Sequence, residues 1–277
     1  MRIAVTGAGG GVGRAFLDAA PGHHDLVPLT HTELDIGDHG AVMERLVPLR
    51  PELIVNLAAF TDVDGCERDP ARAARDNALG PQNLALAARA CEAILVHVST
   101  DFVFDGTKGS PYDELDAPSP ISVYGRSKLA GERFVRSLAP ESFVARTSFV
   151  FGGGTDYVTR SVARMAEGDE VGGIADRRGS PTFARDLAER LLPLALTGRF
   201  GTYHLAGSEP ASWFDVLERA RSIGGFPGSV RRQSPEEVRL VAPRPRDSSL
   251  ASLYADEVGI PPFPSLDEAV KGFLGSR

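Results

Sequence analysis

Arg2-Ile3-Ala4-Val5-Thr6-Gly7-Ala8-Gly9-Gly10-Gly11-Val12-Gly13 decides the fold of this chain. After Arg2 the run is apolar and β-branched, and it reads as a buried strand. Beyond the glycines an apolar helical pattern passes through Phe16, Leu17 and Ala20. Gly7, Gly10 and Gly13 are spaced G-x-x-G-x-x-G, and Gly9 permits a G-x-G reading, so the spacing does not separate dinucleotide-binding subtypes. A glycine cluster in an arbitrary loop says little. Between a strand and a helix it allows a tight turn and close approach of the backbone to a pyrophosphate, which the free N–H groups of the helix start attract. No Gly-Lys-Ser/Thr follows, which disfavours a nucleotide-hydrolysing P-loop.

Residues 25–29 read as a second strand, and Asp38 as the N-cap of a helix through Leu49. Strands follow at 53–57, at 93–98 ending on Ser99-Thr100, and at 142–146. Between them, 70–92 reads as a helix interrupted near Gly80-Pro81, and 124–138 as another helix. This alternation predicts an α/β fold, a doubly wound parallel Rossmann sheet. Gly7, Ala58, Thr100 and Thr147 each follow a strand, so they are expected along one ligand-binding rim. Residues 1–150 form the expected nucleotide-binding core, completed by part of 175–200. Residues 151–277 are assigned mainly to a smaller C-terminal substrate-binding lobe interleaved with that core. There, 183–196 and 212–223 read as helices, the latter capped by Ser212, and 203–205 as extended.

Composition narrows the classes. A net charge of −7 argues against nucleic acid as a partner. No apolar run approaches the ~20 residues of a transmembrane helix, and the N-terminus enters a strand with no secretory segment, so a cytoplasmic protein away from membranes is expected. Cys66 and Cys91 lack a C-x-x-C spacing and are expected as buried or half-buried thiols. The histidines show no metal-binding spacing, and no catalytic metal is expected.

Tyr124-Gly125-Arg126-Ser127-Lys128 carries the chemistry. Tyr and Lys at i and i+4 share a helix face. An ammonium near a phenol favours the phenolate, so Lys128 is expected to lower the Tyr124 pKa from ~10. Such a tyrosine exchanges a proton during carbonyl reduction or alcohol oxidation. In isolation the same pair describes an exposed helix face. The upstream glycine turn gives it a functional context.

With these residues placed, the chain resembles an extended short-chain dehydrogenase/reductase, and more narrowly the dTDP-4-dehydrorhamnose reductase family, over nearly its full length. The matching blocks are the glycine turn, 33–36, 50–61, 99–106, the Tyr124/Lys128 pair, 146–152, 179–182, 201–205, and Arg244-Pro245 with Ser248 and Leu250. The resemblance implies NADPH- or NADH-dependent reduction of the C4 keto group of a nucleotide-linked sugar, in the synthesis of dTDP-L-rhamnose. It makes Thr100, Tyr124 and Lys128 catalytic. Gly7, Gly10, Gly11, Val12 and Gly13 would hold the cofactor pyrophosphate. Asp35 and Ile36 would contact adenine, while Ala58, Ala59, Phe60, Thr61 and Val98 would line the cofactor cleft with Tyr124 and Lys128. Thr100, Asp101 and Phe149 would meet the sugar, and Arg244 its diphosphate.

Two positions depart from the family pattern. Phe149 stands where tryptophan is usual, losing an indole N–H and inviting a different 4-keto-6-deoxy sugar. Gly11 stands where glutamine is common, which predicts a looser turn. Other residues carry alternatives: Arg146 pairs with a buried carboxylate or touches ligand, Asp105 shapes a turn, and Phe149 belongs to core or pocket. Thr30 and His31 after the second strand leave NADH against NADPH open. A homodimer is left open as well. The rival readings are a reductase for another nucleotide-linked deoxysugar and a non-catalytic NADP-binding subunit similar to the regulatory subunit of methionine adenosyltransferase.

Overall fold

The computed structural model describes residues 1–276. Strand β1 (Arg2–Thr6) leads through the glycine turn into α1 (Gly11–Ala19), β2 (Asp25–Leu29), α2 (His39–Leu49) and β3 (Leu53–Asn56). Two short helices, α3 (Val63–Arg68) and α4 (Pro70–Ala74), precede α5 (Gly80–Cys91) and β4 (Ile94–Thr100). Next come α6 (Val123–Leu138), β5 (Ser142–Thr147), β6 (Val150–Phe151), α7 (Tyr157–Ala166), β7 (Glu170–Ile174), β8 (Arg178–Gly179) and β9 (Thr182–Phe183). The chain finishes with α8 (Ala184–Leu196), β10 (Gly201–His204), β11 (Ala211–Ser212), α9 (Trp213–Gly224), β12 (Ser229–Gln233), α10 (Pro235–Val238) and α11 (Leu266–Gly275).

Six strands form one parallel sheet in the order β10-β5-β4-β3-β1-β2, the doubly wound arrangement expected from the alternating pattern. Because helices cover both faces, successive residues of a strand pack into different cores. Ile3 and Val5 of β1 face α1 and α8, alongside Phe16, Leu187 and Leu191. Ala4 faces the other way, into a cluster with Val42 of α2, Leu84 of α5 and Val135 of α6. Pro28 is tolerated in β2 because that strand is an edge. A third core joins α7, α9 and α11 around Phe151, Val162, Leu217 and Phe273. Ser212 caps α9 as expected, its hydroxyl accepting from the Asp215 N–H while the Asp215 carboxylate accepts from the Ser212 N–H. No helix among the described residues is long and apolar enough to cross a membrane.

The interruption expected near Gly80-Pro81 is a π-turn over Arg75–Leu79 that joins α4 to α5. Pro81 has no N–H to continue the α-helical ladder at this point. The turn brings Asn77 inward, where Oδ1 accepts from Phe60 N (2.8 Å) and Nδ2 donates to Phe60 O (3.0 Å) and Ser127 Oγ (3.1 Å). One buried amide therefore ties the loop after β3 to helix α6.

The face of the sheet beneath α6 carries two polar rows near the strand ends. Thr6, Asn56 and His97 are register partners across β1, β3 and β4. Asn56 Oδ1 accepts from Thr6 Oγ1 (2.8 Å) and from Ala58 N (3.1 Å), so its amide nitrogen is the donor to His97 Nδ1 (2.9 Å). Ser99, Arg146 and His204 form the second row across β4, β5 and β10. Glu132 of α6 closes over it, accepting from Arg146 Nε (2.9 Å), Arg146 Nη2 (2.8 Å) and Ser99 Oγ (2.6 Å). Both charges are buried, with side chains 4% and 0% exposed. Of the two alternatives for Arg146, the buried carboxylate is the one found.

Burial pushes the Glu132 carboxyl up, but the Arg146 bonds and charge, with Ser99, overcome it and hold the group below its ordinary value. Its stabilisation is therefore present above the ordinary carboxyl pKa of 4.5 and is lost as pH falls through the lower folded value. Glu132→Gln leaves Arg146 buried without a counter-charge and is expected to cost about 3–5 kcal/mol in urea denaturation at pH 7, with the difference shrinking in acid. A loss below ~1 kcal/mol would contradict the role given to this pair.

Candidate active site

Two cavities lie along the carboxyl rim of the sheet and share Leu57 and Ala59. The first, about 300 Å³, is lined by Gly7, Gly10, Asp35, Ile36, Ala58, Ala59 and Phe60 among others, all expected to contact the dinucleotide. The second, about 660 Å³, gathers Val12, Ala59, Thr61, Val98, Thr100, Asp101, Tyr124, Lys128, Phe149 and Arg244. Residues scattered from 12 to 244 in the chain thus surround one space.

The glycine turn is built for close approach. Gly7 adopts φ +70°, and a Cβ on Gly13 would lie 2.3 Å from the Gly7 carbonyl oxygen, so the first turn of α1 presses directly on the loop. Gly11 gives a correction. The turn is not looser for lacking a side chain there, because a Cβ at Gly11 would sit 2.5 Å from Cα of Gly153. Backbone from the β6–α7 loop fills that space, and Arg14 Nη2 clamps it by donating to Gly153 O at 2.6 Å. Gly11 and Gly13 therefore shape the cleft by letting backbone pack where a side chain would stand.

At the adenosine end, Asp35 forms an ion pair with Arg75 and accepts from Gly37 N (2.9 Å), and the Arg75 contact holds its carboxyl below the ordinary range. His31 and Arg72, not singled out by sequence as ligands, also line this cavity, Arg72 lying over the Phe60 ring at 4.1 Å. Glu33 is turned back, its carboxylate accepting from both Thr30 N (2.8 Å) and Thr30 Oγ1 (2.7 Å).

Ser122 caps α6 by accepting from Gly125 N (3.1 Å), which starts the helix one residue before Tyr124. Tyr124 and Lys128 then face the large cavity. Burial raises the Tyr124 pKa, the Thr100 hydroxyl partly offsets that, and the Asp101 charge adds to it. The expected lowering by Lys128 is absent because its ammonium is turned to the Val98 carbonyl, 2.8 Å away. Tyr124 is a protonated phenol, the form that donates. Burial lowers Lys128 to about 8, with Glu132 one turn on opposing the shift. Cys66, beneath Tyr124, is a free buried thiol pushed up to about 11, mainly by burial, and Cys91 is a free half-buried one.

Asp101 is buried behind Thr100. Its Oδ1 accepts from Thr100 Oγ1 (3.0 Å), and its Oδ2 accepts from Ser148 Oγ (2.9 Å) and Ser248 Oγ (2.5 Å). The carboxylate expected against the sugar thus knits three chain segments together. Asp105 shapes its turn, as its alternative reading held, accepting from Thr107 N (2.9 Å) and Tyr112 OH (2.8 Å).

Phe149 lies in the left-handed backbone region at φ +44°. The other non-glycine residues with positive φ, Arg50, Glu92 and Arg239, are helix C-caps, whereas Phe149 lines the cavity, where such strain marks function. Its ring stacks on Trp213 with centroids 4.7 Å apart and planes 8° apart. An indole is therefore present beside position 149, supplied by α9, a residue sequence reasoning missed because 64 positions separate the two. Thr147, at the rim as expected, also lines this cavity; its buried hydroxyl has no partner among the described residues. No group of three or more His, Cys, Asp or Glu side chains able to hold a metal ion occurs among the described residues.

The parallel sheet, the glycine turn and the Tyr124/Lys128 centre define a Rossmann-type short-chain dehydrogenase/reductase. The chain belongs to the family described as RmlD substrate binding domain, whose model matches residues 1–276. A dTDP-4-dehydrorhamnose reductase of Mycolicibacterium smegmatis is 39% identical, covering 100% of this chain and 87% of that one. A probable dTDP-4,6-dihydroxy-2-methyloxan-3-one 4-ketoreductase of Streptomyces antibioticus is 38% identical, covering 90% and 86%. The crystal structure of a Bacillus anthracis dTDP-4-dehydrorhamnose reductase in complex with NADP superposes with a TM-score of 0.96 at 33% identity, covering 100% and 99%.

Burial raises Asp101 from an ordinary 3.8 to about 6, although Ser248, Ser148 and Thr100 oppose it. An acid raised on folding binds more protons in the native state between those values, so it costs stability as pH rises through them. Asp101→Asn has no such cost. Relative to the parent chain it is expected to gain ~2–3 kcal/mol between pH 4 and pH 7 in denaturant midpoints converted to free energy. Parallel pH profiles would show that Asp101 does not titrate as its burial implies.

Proposed function

We propose that this chain reduces the C4 keto group of dTDP-4-dehydro-L-rhamnose to give dTDP-L-rhamnose, using NADPH. What carries the reading is the convergence of Thr100, Tyr124 and Lys128 in a cavity that shares the Leu57 and Ala59 wall with the glycine-turn cleft. That geometry sits in a chain 39% identical, over its whole length, to a reductase of that name. The cofactor fits these residues: the cradle at Gly7 and Gly13 has no room for a Cβ, and α1 offers its free N–H groups there. At the adenosine end Glu33 is engaged with Thr30 and so withdrawn from a ribose 2′-hydroxyl, which leans toward NADPH, while Arg72 lines the cavity paired with Asp76. The NADP complex of the Bacillus anthracis relative points the same way.

When bound, the nicotinamide supplies hydride to C4. Tyr124 donates its phenolic proton to the oxygen that becomes the C4 hydroxyl. The Thr100 hydroxyl, which accepts from the Phe102 N–H (3.2 Å) and in the ligand-free site donates to Asp101, would turn its proton from Asp101 to that same oxygen. Lys128 exchanges the Val98 carbonyl for the nicotinamide ribose and brings its positive charge to the developing oxyanion. Phe149 and Trp213 present an aromatic surface to the pyranose ring and exclude water. In this reading residues 1–150, with α8 and β10, form the cofactor-binding core and the remainder mainly the substrate lobe. Free thiols at Cys66 and Cys91 fit a reducing, cytoplasmic setting. A second reading, a 4-ketoreductase for another dTDP-linked keto sugar, is favoured by Phe149 and by the Streptomyces antibioticus relative.

Loss of NADPH absorbance with dTDP-4-dehydro-L-rhamnose tests the assignment. Tyr124→Phe is expected to lower kcat at least ~10²-fold. Absence of turnover in the parent chain, with NADPH still bound, would sink the rhamnose reading. The rate also has a predicted alkaline limb. Lys128, lowered to about 8, loses its charge as pH rises through that value while Tyr124 stays protonated, so kcat/KM is expected to fall there. A profile flat to pH 10 would remove Lys128 from the electrostatic role.

A further inference from the structure

Two arginines line the large cavity, and their electrostatic states differ. Arg244, the residue that sequence suggests for the substrate diphosphate, is already occupied. Its Nη1 donates to Asp64 Oδ1 at 2.7 Å and to Ala242 O at 2.9 Å, and the same Asp64 oxygen accepts from Val241 N (3.1 Å) and Ala242 N (2.9 Å). That cluster pins the segment before Pro245 onto α3, and its charges cancel locally. Arg160, on α7, pairs with no carboxylate among the described residues. Its guanidinium donates only to the carbonyl of Thr155 at the start of its own helix, and the side chain is exposed. Tyr157, one turn earlier on α7, also lines the cavity and meets the Trp213 ring edge-on at 6.0 Å. An uncompensated guanidinium therefore stands beside the aromatic wall built by Phe149 and Trp213.

We propose that Arg160, and not Arg244, receives the diphosphate of the sugar nucleotide, while Arg244 braces the wall of the cavity. The inference rests on the nucleotide-sugar reading above. A diphosphate is a strong acceptor that needs net positive charge, and a planar guanidinium can meet two of its oxygens at once. Arg244 shares its charge with Asp64, so a diphosphate there would also meet a carboxylate. Arg160 gives up one backbone carbonyl and no counter-ion.

Trp213 is the single tryptophan of the chain, so its fluorescence reports on this wall without labelling. Titration with dTDP, and with thymidine as the control lacking phosphate, is expected to quench Trp213 in the parent chain. Arg160→Gln is expected to weaken dTDP about tenfold or more and leave thymidine unchanged, with Arg160→Lys recovering part of the loss. In turnover, the KM for the sugar nucleotide should rise by a similar factor, with kcat within about threefold and NADPH binding unaltered. Equal dTDP affinity in Arg160→Gln and the parent chain would overturn the assignment, as would a parent chain that binds no dTDP. The two readings fail separately. A parent chain that binds dTDP through Arg160 but reduces no rhamnose precursor sinks the reaction and keeps the subsite; turnover indifferent to Arg160 does the reverse.

Discussion

The position of the reacting groups depends on the buried pair between Glu132 and Arg146. Helix α6 carries Tyr124, Lys128 and Glu132 at successive i, i+4 places, so one stripe of the helix both reacts and anchors. Glu132 is held from β5 by two Arg146 nitrogens and from β4 by Ser99. Such a pair adds little net stability compared with a well-packed apolar alternative, because both ions lose water. What it supplies is registry: α6 cannot rotate or slide without unpairing a buried charge. Asn77 in the π-turn fixes the same helix from its other side through Ser127. Tyr124 and Lys128 are therefore placed by the sheet, and the chemistry inherits the sheet's rigidity.

Burial sets the protonation states that the reaction uses. A phenol raised by burial and an ammonium lowered by it are opposite consequences of one low-dielectric environment. Both suit a site that gives a proton to an incoming carbonyl oxygen. Asp101, raised by the same effect, sits behind Thr100 and controls where that hydroxyl points. Three chain segments meet at its carboxylate, from the end of β4, the turn after β5, and residue 248, so the catalytic floor also joins the sheet to the C-terminal region.

Local patterns in the sequence conveyed most of the architecture. Short apolar, β-branched runs marked the N-terminal strands, and Ser212 was readable as a cap because capping is a short-range bond. Tyr124 and Lys128 were legible for the same reason. What could not be read were contacts between distant residues. Gly153 fills the place beside Gly11, Trp213 stacks on Phe149, and Asp64 neutralises Arg244, and none of these pairings has a spacing signature. The site of β10 was obscure because Gly201–His204 is only four residues long, and its place beside β5 is decided by register with Arg146 and not by its own composition. Arg146 illustrates the boundary. Its residue type allowed ligand or buried partner, and only Glu132, fourteen positions away, settles which.

The central claim is hydride delivery to C4 of the sugar within the Tyr124 cavity. Single turnover with NADPH deuterated at the transferable position of the nicotinamide, followed by mass and NMR analysis of the sugar, tests it directly. The account predicts dTDP-L-rhamnose carrying one deuterium at C4. Product without the label, or label at another carbon, would contradict it.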